Sequence, residues 1–123
     1  MPFQIQVYET FSGAHNLREY EGKCEKLHGH NWKVEVSVSG RLNRIGMVAD
    51  FTVLRDVLKS VLLPLDHNFL NEIPYFKKHN PTSENIAKYI ADRMKKDKRL
   101  IGIKIESVRV WETEKACALY RLG

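Results

Sequence analysis

The chain opens on an alternation. Phe3, Ile5, Val7 and Phe11 fall on one face and Gln4, Gln6, Tyr8 and Thr10 on the other. A period of two is that of a strand with one face on a core. Ser12-Gly13-Ala14-His15 closes the strand, with Gly13 a candidate bulge. A second alternation starts at His30: Trp32, Val34, Val36 and Val38 face one way, Lys33, Glu35, Ser37 and Ser39 the other, and Gly40 ends it. Residues 16–27 between them are polar and mixed. A connection this long without its own periodicity is more often functional than idle in a small domain.

From residue 50 the period changes. Asp50 is a good N-cap, and Leu54, Val57, Leu58, Val61, Leu62 and Leu65 recur at helical spacing until Pro64 ends the helix. Asp66 to Asn71 reads as a loop. Asn80-Pro81-Thr82-Ser83 starts a second helix, capped by Asn80 or Thr82, with Ile86, Tyr89, Ile90 and Met94 on its apolar face. Ile101, Ile103 and Ile105 then alternate in one phase and Val108 and Val110 in the other. A bulge near Glu106-Ser107 reconciles the two. Thr113-Glu114 makes a turn, and Ala116 to Leu122 is a last strand.

The order is ββααββ. It predicts one α+β domain over residues 1–123: a four-stranded antiparallel sheet with two helices on one face. The other face is polar enough to meet water. The sheet edges still need covering, so a homo-oligomer is expected.

Composition narrows the function. The 123 residues are 43% hydrophobic and 28% charged, with a net charge of +5. This is the make-up of a globular protein with an anionic partner, either a phosphorylated small molecule or nucleic acid. The basic run Lys95-Lys96-Asp97-Lys98-Arg99 lacks the interleaved aromatics of a nucleic-acid surface and reads as a solvated patch. No apolar run is long enough to cross a bilayer. No basic leader precedes an apolar segment, so a cytoplasmic protein with reduced Cys24 and Cys117 is expected.

The chemistry gathers in Cys24-Glu25-Lys26-Leu27-His28-Gly29-His30. Counting in twos, His28 and His30 share the face of Trp32 and Val34. His15 shares that of Phe11 and Val7, if no bulge intervenes. Antiparallel pairing then brings three imidazoles to one end of the sheet. Three neutral imidazoles suit a zinc ion with an open fourth position. Hydrogen-bonding surface histidines, and a closed structural site with Cys24 as fourth ligand, remain the other readings of the same residues. A thiol beside zinc has a lowered pKa and can take a proton. Cys117, inside a strand pattern, reads as buried and inert. Asp66-His67 is a second proton-transfer pair or a structural turn, and Glu112 by itself reads as a surface carboxylate.

Taken together, His15, Cys24-x-x-x-His28-Gly29-His30, Gly46-Met47-Val48-Ala49-Asp50-Phe51, Leu65-Asp66-His67, Asn80-Pro81-Thr82-Ser83-Glu84-Asn85 and Trp111-Glu112-Thr113 resemble the 6-pyruvoyltetrahydropterin synthase family, from residue 3 to about residue 121. The resemblance implies the tunnelling fold, with trimeric barrels stacked as hexamers, and 7,8-dihydroneopterin triphosphate as substrate. It implies zinc on His15, His28 and His30, Cys24 as general base, and Asp66 and His67 as proton relay. It also implies Glu112 as anchor of the pterin ring, with Thr82 and Ser83 lining that pocket. Three residues between the cysteine and His28 resemble the 6-carboxytetrahydropterin synthase branch, which serves queuosine-type 7-deazapurines; the biopterin-making branch, which forms 6-pyruvoyltetrahydropterin, has a longer gap. Glu25, three residues before His28, also matches the branch that releases 6-hydroxymethyldihydropterin toward folate. From another class, a zinc-stabilised basic module binding nucleic acid is the rival expectation.

Overall fold

The two N-terminal alternations pair as long antiparallel strands, β1 (Gln4–His15) and β2 (His28–Ser39). The computed structural model describes residues 1–22 and 25–122. The register runs unbroken from Gln4 opposite Ser39 to His15 opposite His28. The bulge expected at Gly13 is therefore absent, and β1 continues to His15. Gly13 has a different reason to be glycine. A Cβ there would lie 3.1 Å from the Phe11 ring and 3.4 Å from both the Leu65 carbonyl oxygen and a Leu70 methyl.

Asp50 caps α1 (Phe51–Leu62), its carboxylate accepting from the Thr52 N–H at 2.8 Å. Leu54, Val57, Leu58, Val61 and Leu62 form the buried stripe of this helix. The segment read as a loop then contains β3 (Asn68–Phe69), which pairs parallel to β1 at Gly13 and Ala14. A 3₁₀ turn at Leu70–Glu72 and a short helix α2 (Pro74–Lys78) follow, the latter burying Phe76. Two-residue strands and single-turn helices carry no readable period, which is why the sequence pattern misses them. Thr82, not Asn80, caps α3 (Ser83–Lys95) by accepting from the Asn85 N–H at 3.1 Å.

The sheet finishes with β4 (Lys104–Thr113) and β5 (Ala116–Arg121), giving five strands rather than four, in the order β3-β1-β2-β4-β5. The expected bulge in β4 is present. Ser37 faces Ser107 and Val38 faces Ile105, so Glu106 is the extra residue. It lets Ile105 and Val108 both turn inward. Ile101 and Ile103 precede the strand, and Ile101 is exposed. Cys117 is free and exposed on β5, not buried as its strand pattern suggests.

Trp32, Val34, Val36 and Val38 of β2 and Val108 and Val110 of β4 are fully buried beneath α1 and α3, which add Leu54, Leu58, Ile86, Ile90 and Met94. The opposite face carries a polar ladder in which Glu35 accepts from Gln6 and Trp111 and pairs with Lys33. No helix among the described residues is long and apolar enough to cross a membrane.

Candidate functional site

The alternation that buries the valines continues past them to one end of the sheet, where it turns His15, His28 and His30 onto the same face. The His15–His28 strand pair sets two of the rings side by side, with their Nε2 atoms 3.0 Å apart. His15 is buried, and its Nδ1 lies 2.8 Å from the Pro81 carbonyl oxygen. His28 Nδ1 lies 2.9 Å from the Lys26 carbonyl oxygen. A carbonyl oxygen only accepts, so both rings carry a proton on Nδ1, and their Nε2 atoms face each other. Among the described residues, the buried His30 Nε2 has no hydrogen-bond partner. Burial holds His30 below its ordinary pKa, against the pull of Glu112, and His28 and His15 push it the same way as burial. This favours the neutral ring, the form that can act as a ligand.

Glu112 completes the cluster. Its Oε1 is 3.0 Å from His15 Nε2 and 3.5 Å from His30 Nε2. The four side chains offer ligand atoms that all lie within 4.8 Å of one another. Ligand atoms around a tetrahedral zinc with bonds of about 2.0–2.1 Å stand roughly 3.3 Å apart. Acceptors crowded together without a fixed proton between them repel, unless a ring takes a second proton or a cation sits among them. The donor set therefore fits a metal ion. Trp32 forms the wall behind it. Its ring meets those of His15 and His30 edge to face at 4.9 and 5.3 Å, and its N–H donates to the Gly13 carbonyl at 3.1 Å.

The loop after β1 is held by side chains acting as strand partners. Asn71 accepts from the Asn16 N–H and donates to its carbonyl, at 3.0 and 2.8 Å. Asn80 does the same for Arg18, at 2.8 and 3.0 Å. Between them, Glu25 accepts from the Leu17 N–H at 3.2 Å, and its own N–H donates to the Leu17 carbonyl at 2.8 Å. The Glu25 carboxylate also lies 3.7 Å from His28 Nδ1, on the side of that ring away from the cluster. Cys24 lies outside the described residues.

Asp66 and His67 lie beside this site. Asp66 accepts from the Ser12 N–H at 2.9 Å, and its other oxygen is 3.7 Å from His67 Nε2. His67 is 81% exposed and sits at φ +57°, a region non-glycine residues rarely adopt. It shares with His30 the lining of an open cavity of about 470 Å³, together with Gly13, Gly29 and Asn31. Thr82 is occupied in capping α3, and neither it nor Ser83 lines this cavity. Three features escape the sequence reading: the carbonyls of Pro81 and Lys26, the two asparagine clamps, and the place of Glu112 in the cluster. Only the last had a signal, since Glu112 continues the inward phase of Val108 and Val110.

Known proteins share this architecture and much of this sequence. The family described as 6-pyruvoyl tetrahydropterin synthase matches residues 4–122. The 6-carboxy-5,6,7,8-tetrahydropterin synthase of Haemophilus influenzae is 34% identical over 142 residues, covering 97% of this chain and 99% of that protein. The dihydroneopterin monophosphate aldolase of Pyrococcus furiosus is 39% identical over 113 residues, 91% of each. The solved 6-pyruvoyl tetrahydropterin synthase of Caenorhabditis elegans superposes with a TM-score of 0.84 at 25% identity, over 98% of this chain and 96% of that one.

Proposed function

This chain belongs to the 6-pyruvoyl tetrahydropterin synthase family, and on that premise we propose that it is a zinc-dependent lyase converting 7,8-dihydroneopterin triphosphate to 6-carboxy-5,6,7,8-tetrahydropterin, with release of triphosphate and acetaldehyde. The observation that carries the reading is the convergence of three imidazoles, one with a buried Nε2 that has no hydrogen-bond partner among the described residues, beside an open cavity. Membership in an enzyme family leaves the nucleic-acid module without support. The route to queuosine-type 7-deazapurines is part of the proposal.

His15, His28 and His30 would hold zinc, which polarises the hydroxyls of a bound side chain and acidifies the neighbouring carbons. The Pro81 and Lys26 carbonyls orient two of those rings by taking their Nδ1 protons. Cys24 takes a proton from the substrate. Asp66 and His67 return one, with Asp66 held by the Ser12 N–H. Glu112 would accept from the ring N–H and amino group of the pterin, a charge-assisted contact that fixes orientation; Thr82 and Ser83 would line the pocket of the ring, distinct from the cavity beside His30, which neither of them lines. The net charge of +5 favours capture of a triphosphate. A trimer stacked to a hexamer is included, since β1 before Gly13 and the outer side of β5 are open edges in the sheet order.

A second reading has its own support. Glu25 is fixed beside His28, and the pyrococcal relative is an aldolase. In that reading Glu25 is the base, and a 6-hydroxymethyl product leaves by carbon–carbon cleavage. Incubation with 7,8-dihydroneopterin triphosphate and mass analysis of the product decides between them. The 6-carboxy product with acetaldehyde, lost in Cys24→Ala and kept in Glu25→Ala, is the expected result. A 6-hydroxymethyl product lost in Glu25→Ala overturns it.

A further inference from the structure

His67 stands in a backbone conformation that its own residue type does not favour. Its φ of +57° lies in the left-handed region, where a Cβ is crowded, and its side chain is largely exposed, so burial of the ring does not hold it there. Glycine would relieve that backbone, but glycine has no imidazole. Such a conformation persists only where its surroundings over-determine it. Here they act on the peptide between Asp66 and His67. The N–H of that peptide donates to the Ser12 carbonyl of β1. Its carbonyl accepts from Asn68 Nδ2 at 3.1 Å, and the same amide nitrogen donates to the Pro64 carbonyl at 2.8 Å. One short side chain thus spans the turn from Pro64 to the peptide of the pair. The Asp66 carboxylate is fixed separately by the Ser12 N–H at 2.9 Å, and Asn68 is itself set opposite Gly13 by the β3 pairing.

We propose that Asn68 is the positioning residue of the Asp66–His67 pair: its amide clamps the peptide plane between them and so holds the His67 ring at the cavity that it lines with His30. This rests on the reading of Asp66 and His67 as the proton relay, in which Asn68 touches no reacting atom. The residue type follows from the geometry. Two carbonyl oxygens only accept, so the side chain between them must bring two N–H donors on one atom, close to its own backbone. Asparagine does so; aspartate, of the same shape, brings none. With the backbone clamped, the His67 ring needs no packing of its own to stay in place. It is left free to exchange a proton with Asp66, whose Oδ2 is 3.7 Å from its Nε2, and with a ligand in the cavity.

The test is a double-mutant cycle between Asn68→Ala and His67→Ala, read by turnover of 7,8-dihydroneopterin triphosphate, together with amide hydrogen exchange. Asn68→Ala is expected to lower kcat by about 10- to 100-fold, the scale of a misplaced reacting group. KM should stay within about twofold of wild type, because the lost interaction serves the chemical step and not binding. In the His67→Ala background the same substitution should change kcat by less than about twofold, since a residue that acts through another loses its effect when that other is gone. A general loss of structure would multiply the two losses. Exchange of the His67 amide should quicken about tenfold or more in Asn68→Ala while the amides of α1 and β2 keep their protection, which also establishes that the variant is folded. An unchanged kcat, a loss confined to KM, equal losses with and without His67, or an unaltered His67 exchange rate overturns the proposal. A His67→Ala that keeps full kcat, or a wild type inactive on this substrate, overturns the relay reading beneath it. The two failures are told apart by the exchange rates, which do not depend on activity.

Discussion

The helix-covered face of the sheet contains two regions built from the same three strands. In one, Val7, Phe11, Val34, Val36, Val38, Val108 and Val110 lie under α1 and α3 and are buried. In the other, a few residues further along the same alternations, His15, His28, His30 and Glu112 turn acceptor atoms toward one point. The strand period treats them alike. What differs is the cover. Apolar helix stripes exclude water from the first and stabilise the fold. The second is bordered by the loop after β1 and the segment after α1, and it is left open to a cavity. The difference teaches that phase chooses the face, while the element above decides whether that face becomes core or site.

The comparison breaks most sharply if the site is removed while the core is left alone. His28→Ala is expected to lower lyase activity by at least about a thousandfold, equivalent to roughly 4 kcal/mol of transition-state stabilisation, and to empty the protein of zinc by elemental analysis. Its metal-free melting temperature should stay near that of wild type. Full activity in this variant would mean that the cluster is not the catalytic centre.

The reverse cut is Leu58→Ala, in the fully buried stripe of α1. It should cost about 2–5 kcal/mol in urea unfolding, while the folded fraction keeps the wild-type metal content. Loss of metal from protein that is still folded would show that the regions are not separable. A finer cut is Asn80→Ala, which removes both clamp bonds to Arg18. The expected cost is about 1–3 kcal/mol, with a fall in kcat/KM larger than that of a surface substitution of similar stability. An unaltered kcat/KM would show that the clamp serves only the fold.

The smallest effect lies outside both regions. The side chain of Arg99, and then its backbone N–H, hold the Asp97 carboxyl down at about 2. A lowered folded pKa stabilises above the unfolded value and is lost as pH falls through the folded one. The contribution of Asp97 is thus complete above about pH 4 and disappears toward pH 2. Asp97→Asn should flatten that part of the stability–pH curve and leave pH 5–7 unchanged in shape. A variant curve parallel to wild type down to pH 2 would count against it.

Much of this was legible in the residues. The two long alternations, the stripe of α1, the apolar face of α3 and the phase switch at Glu106 are local patterns, because backbone geometry turns sequence spacing directly into a face. The same arithmetic brought His15 to His28 and His30. Other features were not local. Gly13 looked like a bulge because its sequence neighbours do not reveal that Phe11, Leu65 and Leu70 crowd it. Asn68–Phe69 became a strand only because the edge of β1 at Gly13 and Ala14 offered it partners. Cys117 carried a strand pattern, but β5 is an edge strand and leaves it exposed.

The sequence by itself determined which side chains share a face and which chemical groups are available, since both follow from residue type and a fixed period. Only the tertiary structure decided how those groups are tuned. The Nδ1 protons of His15 and His28 are fixed by carbonyls from residues 81 and 26, and the loop after β1 is held by asparagines 55 and 62 positions away. Glu112 reaches the cluster through a slipped pairing between β4 and β5. Hydrogen bonds and charge act through distances in space, and those distances exist only once the strands are paired and the loops are tied down.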